Sequence, residues 1–174
     1  HALRYASIMM LKDKDVMLAV VKQNGFSLQH ASKELRYDKD VVLAAVNNNG
    51  RSIMHTSEEL RNDRDVVFAA LKHDGSLFKY ASAELRDAKD VVISAVKISA
   101  WAITFASDER RGDKDVVLAA TNKSGHILLF ASNELRNDKQ VALSAVKQHG
   151  GALEYTSERL RNDRDVVLAA VSTW

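Results

Sequence analysis

The sequence repeats itself every 25 residues without an insertion or a deletion. Aspartate recurs at multiples of this spacing, with glutamine in the single gap: Asp15, Asp40, Asp65, Asp90, Asp115, Gln140 and Asp165. A serine keeps its own phase through the whole chain: Ser7, Ser32, Ser57, Ser82, Ser107, Ser132 and Ser157. The 174 residues are therefore one unit written about seven times. A period of this length predicts a repeat architecture, in which each unit buries its apolar face against its neighbours.

Composition favours helices as the repeating element. The chain contains no proline and only 7 glycines, while alanine and valine are abundant, and helices tolerate such a composition better than strand-and-turn folds do. We predict an all-α fold, an α-solenoid of about seven 25-residue helical repeats stacked in a right-handed superhelical rod. The whole of 1–174 is expected to form one tandem-repeat domain. Repeats are expected to start near 13, 38, 63, 88, 113, 138 and 163, and residues 1–12 to form the second half of a preceding repeat.

The first half of each repeat has signals for a helix at both ends. Asp38 is placed to cap free backbone amides, and Gly50 suits a left-handed residue that closes a helix. Between them, 41–46 are consecutive apolar residues, so the helix should be covered on more than one side. An alanine pair, for example Ala119 and Ala120, removes bulk where neighbouring helices must approach closely.

The second half of each repeat allows two interpretations. Its apolar stripe, such as Ile53, Thr56 and Leu60, has helical spacing. The repeated serine could be a small residue inside one helix of about ten residues, with its hydroxyl bonded to the preceding turn. Alternatively, Ser57 caps a second short helix that follows a single turn, the latter of 3₁₀ type. Both interpretations stay open at this point.

The repeat resembles a known tandem-repeat family. The pattern D-K-D-V-V-L-A-A-V-K-x-x-G-x-x-L-x-x-A-S-x-E-L-R, as in 38–61 and 138–161, is similar to the repeats catalogued as domain of unknown function 4116. The resemblance covers the whole chain and implies an interaction module without catalytic residues, cofactor or substrate. Departures from the pattern are Ala100 for glycine, Arg110 for leucine, Gln140 for aspartate, and Met9, Met10 and Leu11 in the first repeat.

Catalytic and metal sites are not indicated by the titratable residues. Without cysteine there is no disulfide, thiolate metal site or cysteine nucleophile. His30 and His55 stand in a column that is otherwise aromatic, and one repeat of separation is awkward for joint zinc ligation. The cluster of Arg61, Asp63 and Asp65 recurs along the chain, as helix caps and ion pairs would, whereas an active site is needed only once. We therefore expect no enzyme, no cofactor and no metal.

Positions that vary between repeats are the candidates for a binding surface. Uniform columns serve stacking, whereas columns around the turn after the first helix differ from repeat to repeat. Trp101 is the clearest candidate for a binding residue, because the same column holds arginine, serine, histidine and glycine elsewhere. Arg110 would leave a polar notch beside it, although Trp101 could instead fold over Ala100 and Ala102 of its own turn. The predicted partner-binding residues are Phe26, Arg51, His73, Ile98, Trp101, Arg110, Lys123 and His126.

These observations predict a non-enzymatic repeat scaffold for protein–protein interaction. One alternative is an architectural subunit that braces a large multi-protein assembly, since both ends are expected to continue into or pack against further structure. Another is a single-stranded RNA-binding helical repeat, because Lys22, Lys72, Lys97 and Lys147 share a column. A formal charge of only +2 disfavours nucleic acid. No apolar run is long enough to span a membrane, and a cytoplasmic or organelle location is favoured over secretion.

Overall fold

The structure, a computed structural model, describes residues 10–173, and these contain helices and turns but no strand. The chain divides into two compact units, an N-terminal unit of His1–Ser82 and a C-terminal unit of Ala83–Trp174. Within each unit the 25-residue repeats stack on one another as in a solenoid, and the predicted all-α class is confirmed. Met9, part of the irregular first repeat, lies outside the described residues, and Met10–Lys12 form a short 3₁₀ helix with Met10 exposed.

Each repeat consists of a long α-helix, a 3₁₀ helix and a short α-helix. The long helices are Lys14–Gln23, Lys39–Asn48, Arg64–Leu71, Lys89–Ile98, Lys114–Thr121, Lys139–Gln148 and Arg164–Val171. The 3₁₀ helices that follow them are Gly25–His30, Gly50–His55, Gly75–Tyr80, Ala100–Phe105, Gly125–Phe130 and Gly150–Tyr155. The short helices are Glu58–Arg61, Ala83–Asp87, Asp108–Arg111, Asn133–Arg136 and Glu158–Arg161. Residues 33–36 occupy the equivalent place in an earlier repeat and form a turn.

The repeated serine caps the short helix, so the second of the two interpretations is correct. The Oγ atom of Ser107 accepts a hydrogen bond from the backbone N–H of Arg110 at 3.2 Å, and Ser57 and Ser157 cap their helices in the same way. The Ser107 hydroxyl also donates to Asp87 of the preceding repeat at 2.5 Å. Its backbone N–H donates to the carbonyl of Arg86 at 3.1 Å. One residue thus starts a helix and ties two repeats together, which explains why no other residue type replaces it.

The glycine after the long helix was predicted to adopt a left-handed conformation, and this prediction is wrong. No residue in 10–173 has a positive φ. The glycine instead begins the 3₁₀ helix where two repeats approach most closely. A Cβ built at Gly125 would overlap the carbonyl oxygen of Ala145 in the next long helix. Ala100, the one alanine at this position, is itself buried, so its surroundings accept a methyl group where those of Gly125 do not.

Close packing of consecutive long helices forms the core of each unit. Within the C-terminal unit, each long helix contacts the next, and the 3₁₀ helices form a second contacting layer. Val91, Val92, Ala95 and Val96 are fully buried, as expected for a helix covered on more than one side. The second alanine of the pair, such as Ala120, is always buried, whereas the first position is half-exposed in most repeats and holds serine in two of them.

A ladder of ion pairs connects the N-terminal ends of neighbouring long helices. Lys39 contacts both Asp63, at 2.7 Å, and Asp65, at 2.8 Å, of the next repeat. Asp63 at the same time caps its own helix by accepting from the N–H groups of Asp65 and Val66. The same arrangement joins Lys14 to Asp38 and Asp40, Lys89 to Asp113 and Asp115, and Lys139 to Asp163 and Asp165. These lysines are partly exposed, so the ion pairs align neighbouring helices more than they stabilise the fold.

We expect Gly125→Ala to destabilise the protein by about 1–3 kcal/mol, because the added methyl group overpacks a backbone contact. Gly112→Ala is the matched control, since the nearest atom to a Cβ there lies 3.5 Å away. That change should be neutral or stabilising. Urea unfolding followed by circular dichroism measures both, and equal effects of the two substitutions would contradict the close-approach explanation.

Removing a capping serine should cost more than removing a serine that caps nothing. We expect Ser107→Ala to lower the free energy of unfolding by about 1–2 kcal/mol, because the helix loses its cap. Ser99→Ala is the control, since Ser99 precedes a 3₁₀ helix but makes no side-chain cap. Thermal and urea unfolding of the two variants should rank them in this order.

Acid should weaken the ladder. Burial alone would raise the pKa of Asp138, but hydrogen bonds from Lys114 and from the Val141 and Gln140 amides outweigh it, so the pKa is lowered. The Lys139 ammonium lowers the pKa of Asp163 in the same direction. A lowered carboxyl pKa stabilises the fold above the unfolded value of about 3.9, and this stability is lost as pH falls further.

We therefore expect the urea midpoint to stay level from neutral pH to about pH 5 and to fall below about pH 4. The variant Asp138→Asn, Asp163→Asn keeps neutral caps, because asparagine caps helices about as well as aspartate does. Its fall on acidification should be smaller. An identical acid response in the variant and the parent would show that these carboxylates are not responsible.

Candidate functional site

The predicted partner-binding residues lie mainly at the C-terminal ends of the long helices and the start of the 3₁₀ helices. We call this region the turn surface. It is at the opposite end of each long helix from the ion-pair ladder, about 15 Å away for a helix of ten residues. The two compact units carry separate parts of it. Phe26, Arg51 and His73 belong to the N-terminal unit, and Ile98, Trp101, Lys123 and His126 to the C-terminal unit.

In the N-terminal unit, the three predicted residues do not form one cluster. The Phe26 ring is half-buried and packs edge-on against His55 of the next repeat, with centroids 4.9 Å apart. The Arg51 side chain is exposed, and its charge helps to lower the pKa of Asp74, after the hydrogen bonds from Ser76. His73 is exposed but has its Nε2 atom 3.1 Å from the carbonyl of Asn47.

Three residues of one variable column share a structural function that their residue types conceal. His73 contacts the carbonyl of Asn47, and Lys123 donates to the carbonyls of Lys97 and Ile98 at 2.5 and 2.7 Å. Asn48, in the same column, donates to the carbonyl of Lys22 at 2.9 Å. Each side chain bonds to a carbonyl in the last turn of the preceding long helix, where no intrahelical partner exists. His73 and Lys123 therefore contribute to stacking as well as to the surface.

Arg110 is drawn into the C-terminal unit rather than opening a notch. Its side chain is largely covered and lies within ion-pair distance of Asp87 and Asp113, at 3.5 Å each. It also pairs with Glu109. The leucine that usually stands here packs by burial alone, whereas Arg110 compensates with carboxylates. Its guanidinium is occupied, which leaves it little capacity for a partner.

Trp101 is the most prominent exposed residue of the turn surface. Its side chain is 53% exposed and packs edge-on against Phe130 of the next repeat, with centroids 5.8 Å apart. Trp101 thus contacts the aromatic ring of the next repeat, and about half of its surface stays exposed. An exposed face and a supported edge are the features of an interface anchor.

Two further apolar side chains accompany Trp101. Ile98, 38% exposed, ends the long helix three residues earlier. Leu129, 47% exposed, adjoins Phe130 in the next 3₁₀ helix. We call Ile98, Trp101 and Leu129 the apolar turn patch. Leu129 was not predicted from the sequence, because its column lies within the 3₁₀ helix and not at the turn. Its own column, which includes Gln29, Met54, Lys79, Thr104 and Glu154, is equally variable.

Basic side chains surround the apolar turn patch. Lys97, Lys123 and Lys147 are exposed at the ends of three consecutive long helices. The His126 ring stacks against His149 at 4.1 Å and lies edge-on to Tyr155 at 6.3 Å. Glu154, the acidic residue of this region, hydrogen-bonds to Tyr155 and thereby raises the pKa of the phenol. This part of the turn surface combines apolar anchors with a positive margin.

No group of three or more histidine and acidic side chains in 10–173 could hold a metal ion. None of the helices over the same range combines the length and apolar character needed to cross a bilayer.

The comparison with protein families agrees with the repeat. The family described as Domain of unknown function (DUF4116) matches residues 1–36, 38–86, 89–136 and 138–173. The chain belongs to this family. The resemblance noted from the sequence is thereby confirmed, and the two central matches each span about two of the DUF4116 repeats. No curated protein and no solved structure matches the chain.

Proposed function

We propose that this DUF4116 array is a non-enzymatic scaffold that binds another protein through the turn surface of its C-terminal unit. The observation that carries the proposal is the apolar turn patch. Large apolar side chains that remain 38–53% exposed in consecutive repeats, at positions that stacking does not require, are typical of an interaction site.

The charge near the patch supports one kind of partner. Lys97, Lys123 and Lys147 are exposed at the same helix ends, and the Lys123 ammonium is held at the carbonyl of Ile98. Glu154 is engaged with Tyr155. An acidic peptide segment with an aromatic or branched apolar residue would place its anchor against Trp101 and its carboxylates near the lysines. The partner we propose is therefore a protein segment of this composition.

The proposal of a non-enzymatic role is supported by the way the titratable residues are used. The repeated aspartates and lysines are paired with each other as helix caps and ladder ion pairs. Catalysis requires a group whose proton affinity is tuned for transfer in a cleft. The ladder groups instead have their charged forms stabilised, since the pKa of Asp63 is lowered and that of Lys39 is raised.

The test selects peptides from a random displayed library on the purified chain and measures the affinity of the selected peptides. We expect acidic sequences with an aromatic or leucine anchor. The double variant Trp101→Ala, Leu129→Ala should weaken their binding by about thirtyfold or more, the effect of losing an interface anchor. The control is Leu168→Ala, which removes an equally exposed leucine, 54% accessible, from the last long helix and should leave binding unchanged.

Selected peptides that bind equally well to the double variant would contradict this surface assignment. A salt titration with a single-stranded RNA oligonucleotide tests the nucleic-acid alternative separately. Tight RNA binding that falls steeply with salt would replace the proposal by the nucleic-acid alternative. Binding of the acidic peptide with a shallow salt dependence, and no RNA binding, is the expected result.

A further inference from the structure

An open pocket of about 230 Å³ lies in the N-terminal unit. It is formed where residues 33–37 meet the end of the 3₁₀ helix Gly50–His55 and the short helix Glu58–Arg61. Its lining residues are Lys33, Arg36, Tyr37, His55, Thr56, Ser57, Glu58 and Arg61.

Two departures from the repeat meet in this pocket. Lys33 stands in a column that otherwise holds Ile8, Glu58, Ala83, Asp108, Asn133 and Glu158. Tyr37 stands where the other repeats have Lys12, Asn62, Asp87, Gly112, Asn137 and Asn162. The Lys33 Nζ atom lies 6.0 Å from the centre of the Tyr37 ring. This repeat thus holds the only cation of the first column and the only aromatic residue of the second.

The exchange at Tyr37 leaves the Ser57 hydroxyl proton available. Where the preceding repeat has asparagine or aspartate at this place, the capping serine donates to it, as Ser157 does to Asn137 at 2.7 Å. Ser132, which follows Gly112, instead bonds to the Glu134 carboxylate. Ser57 accepts from Leu60 as usual. Tyr37 offers no side-chain oxygen in the equivalent place, and within the described residues no other oxygen accepts from the Ser57 hydroxyl. Ser57 is only 7% exposed, so this donor is held in place at the pocket.

Among residues 10–173, the Arg36 side chain makes no hydrogen bond, and its Nε is buried without a partner. The equivalent Arg136 donates through Nε to the carbonyl of Tyr155 at 2.7 Å. The corresponding carbonyl for Arg36 is that of His55, which it does not reach.

A buried Nε alone does not distinguish Arg36, since the Nε of Arg86 in the same column is also without a partner. Arg86, however, donates through a terminal nitrogen to the carbonyl of Phe105 at 3.4 Å. Arg36 lacks this bond as well, and a bound anion would supply the acceptor that buried donors usually have.

The pocket has an excess of positive charge. Lys33, Arg36 and Arg61 line it against a single carboxylate, Glu58, which leaves a formal excess of two positive charges. Burial, and then the charges of Arg36 and His30, lower the pKa of His55. The imidazole is therefore neutral at neutral pH and neither adds to this excess nor cancels it.

We propose that this pocket binds a phosphate monoester. The ligand needs several acceptor oxygens, because donors come from Arg36, Lys33 and the Ser57 hydroxyl. A phosphate monoester has three such oxygens and a charge close to −2 near neutral pH, which balances the pocket. A carboxylate has one charge and two oxygens. Arginine forks paired with a second cation are the usual receptors for phosphorylated groups.

Titration of inorganic phosphate into the full chain tests the site, with the ¹⁵N–¹H signal of the Arg36 Nε as readout. We expect a saturable shift of this signal in the millimolar range. Arg36→Gln should weaken phosphate binding, measured by calorimetry, by about tenfold to hundredfold, the usual effect of losing a hydrogen bond between charged groups. Arg136→Gln is the matched control in the same column and should leave binding unchanged.

Two more variants keep the test independent of folding defects. Lys33→Glu and Tyr37→Asn each restore a residue that the repeat uses elsewhere, so both should fold. Lys33→Glu should abolish phosphate binding. Tyr37→Asn should weaken it several-fold, because it returns an acceptor to the Ser57 hydroxyl. Absence of a saturable shift at Arg36, or equal binding by these variants and the parent, would overturn the proposal.

The source of the phosphate is decided by competition. A phosphoserine peptide that binds more tightly than inorganic phosphate would identify a phosphorylated protein as the ligand. A sugar phosphate that binds more tightly than both would identify a small metabolite. Either result supports the site, and neither depends on Trp101 or Leu129, so it can succeed or fail separately from the proposed function.

Discussion

Hydrogen-bonding groups that one helical repeat leaves unsatisfied are completed by the next repeat. Short helices have a large share of such groups, because the first N–H and last C=O groups of every helix lack an intrahelical partner. In this chain the carbonyl that ends one short helix, at Arg86, receives the amide of Ser107. The carbonyls that end a long helix receive Lys123. The repeats therefore hold one another through backbone groups as well as through apolar burial.

This constraint changes how variation between repeats should be interpreted. Asn48, His73 and Lys123 look unrelated in the sequence, yet all three present a polar side-chain group to the same kind of carbonyl. Variation among these three residues preserves a chemical role and does not mark a binding site, whereas Ile98 of the same column has no polar group for a carbonyl. The residues left over are those with no stacking partner of this kind, namely Ile98, Trp101 and Leu129 in one unit and Lys33 and Tyr37 in the other.

The period and the aspartate caps were sufficient to predict helical repeats and the ion pairs between them. The left-handed glycine was predicted wrongly because glycine is favoured for two different reasons, a positive φ and a close approach, and the sequence does not separate them. The position of Trp101 against Phe130 depends on a contact 29 residues away in the sequence, between neighbouring repeats. The effect of Tyr37 is visible only in the structure, where Ser157 donates to Asn137 but Ser57 finds no such acceptor at Tyr37.

Peptides of increasing length from the C-terminal unit test most directly whether each repeat needs its neighbour to satisfy its hydrogen-bonding groups. Peptides of one, two and three repeats, beginning with 113–137, would be compared by circular dichroism and urea unfolding. If repeats complete one another, the single repeat will lack helical signal and the urea midpoint will rise with each repeat added. A single repeat that is helical and unfolds cooperatively, with the same midpoint as three, would contradict the account.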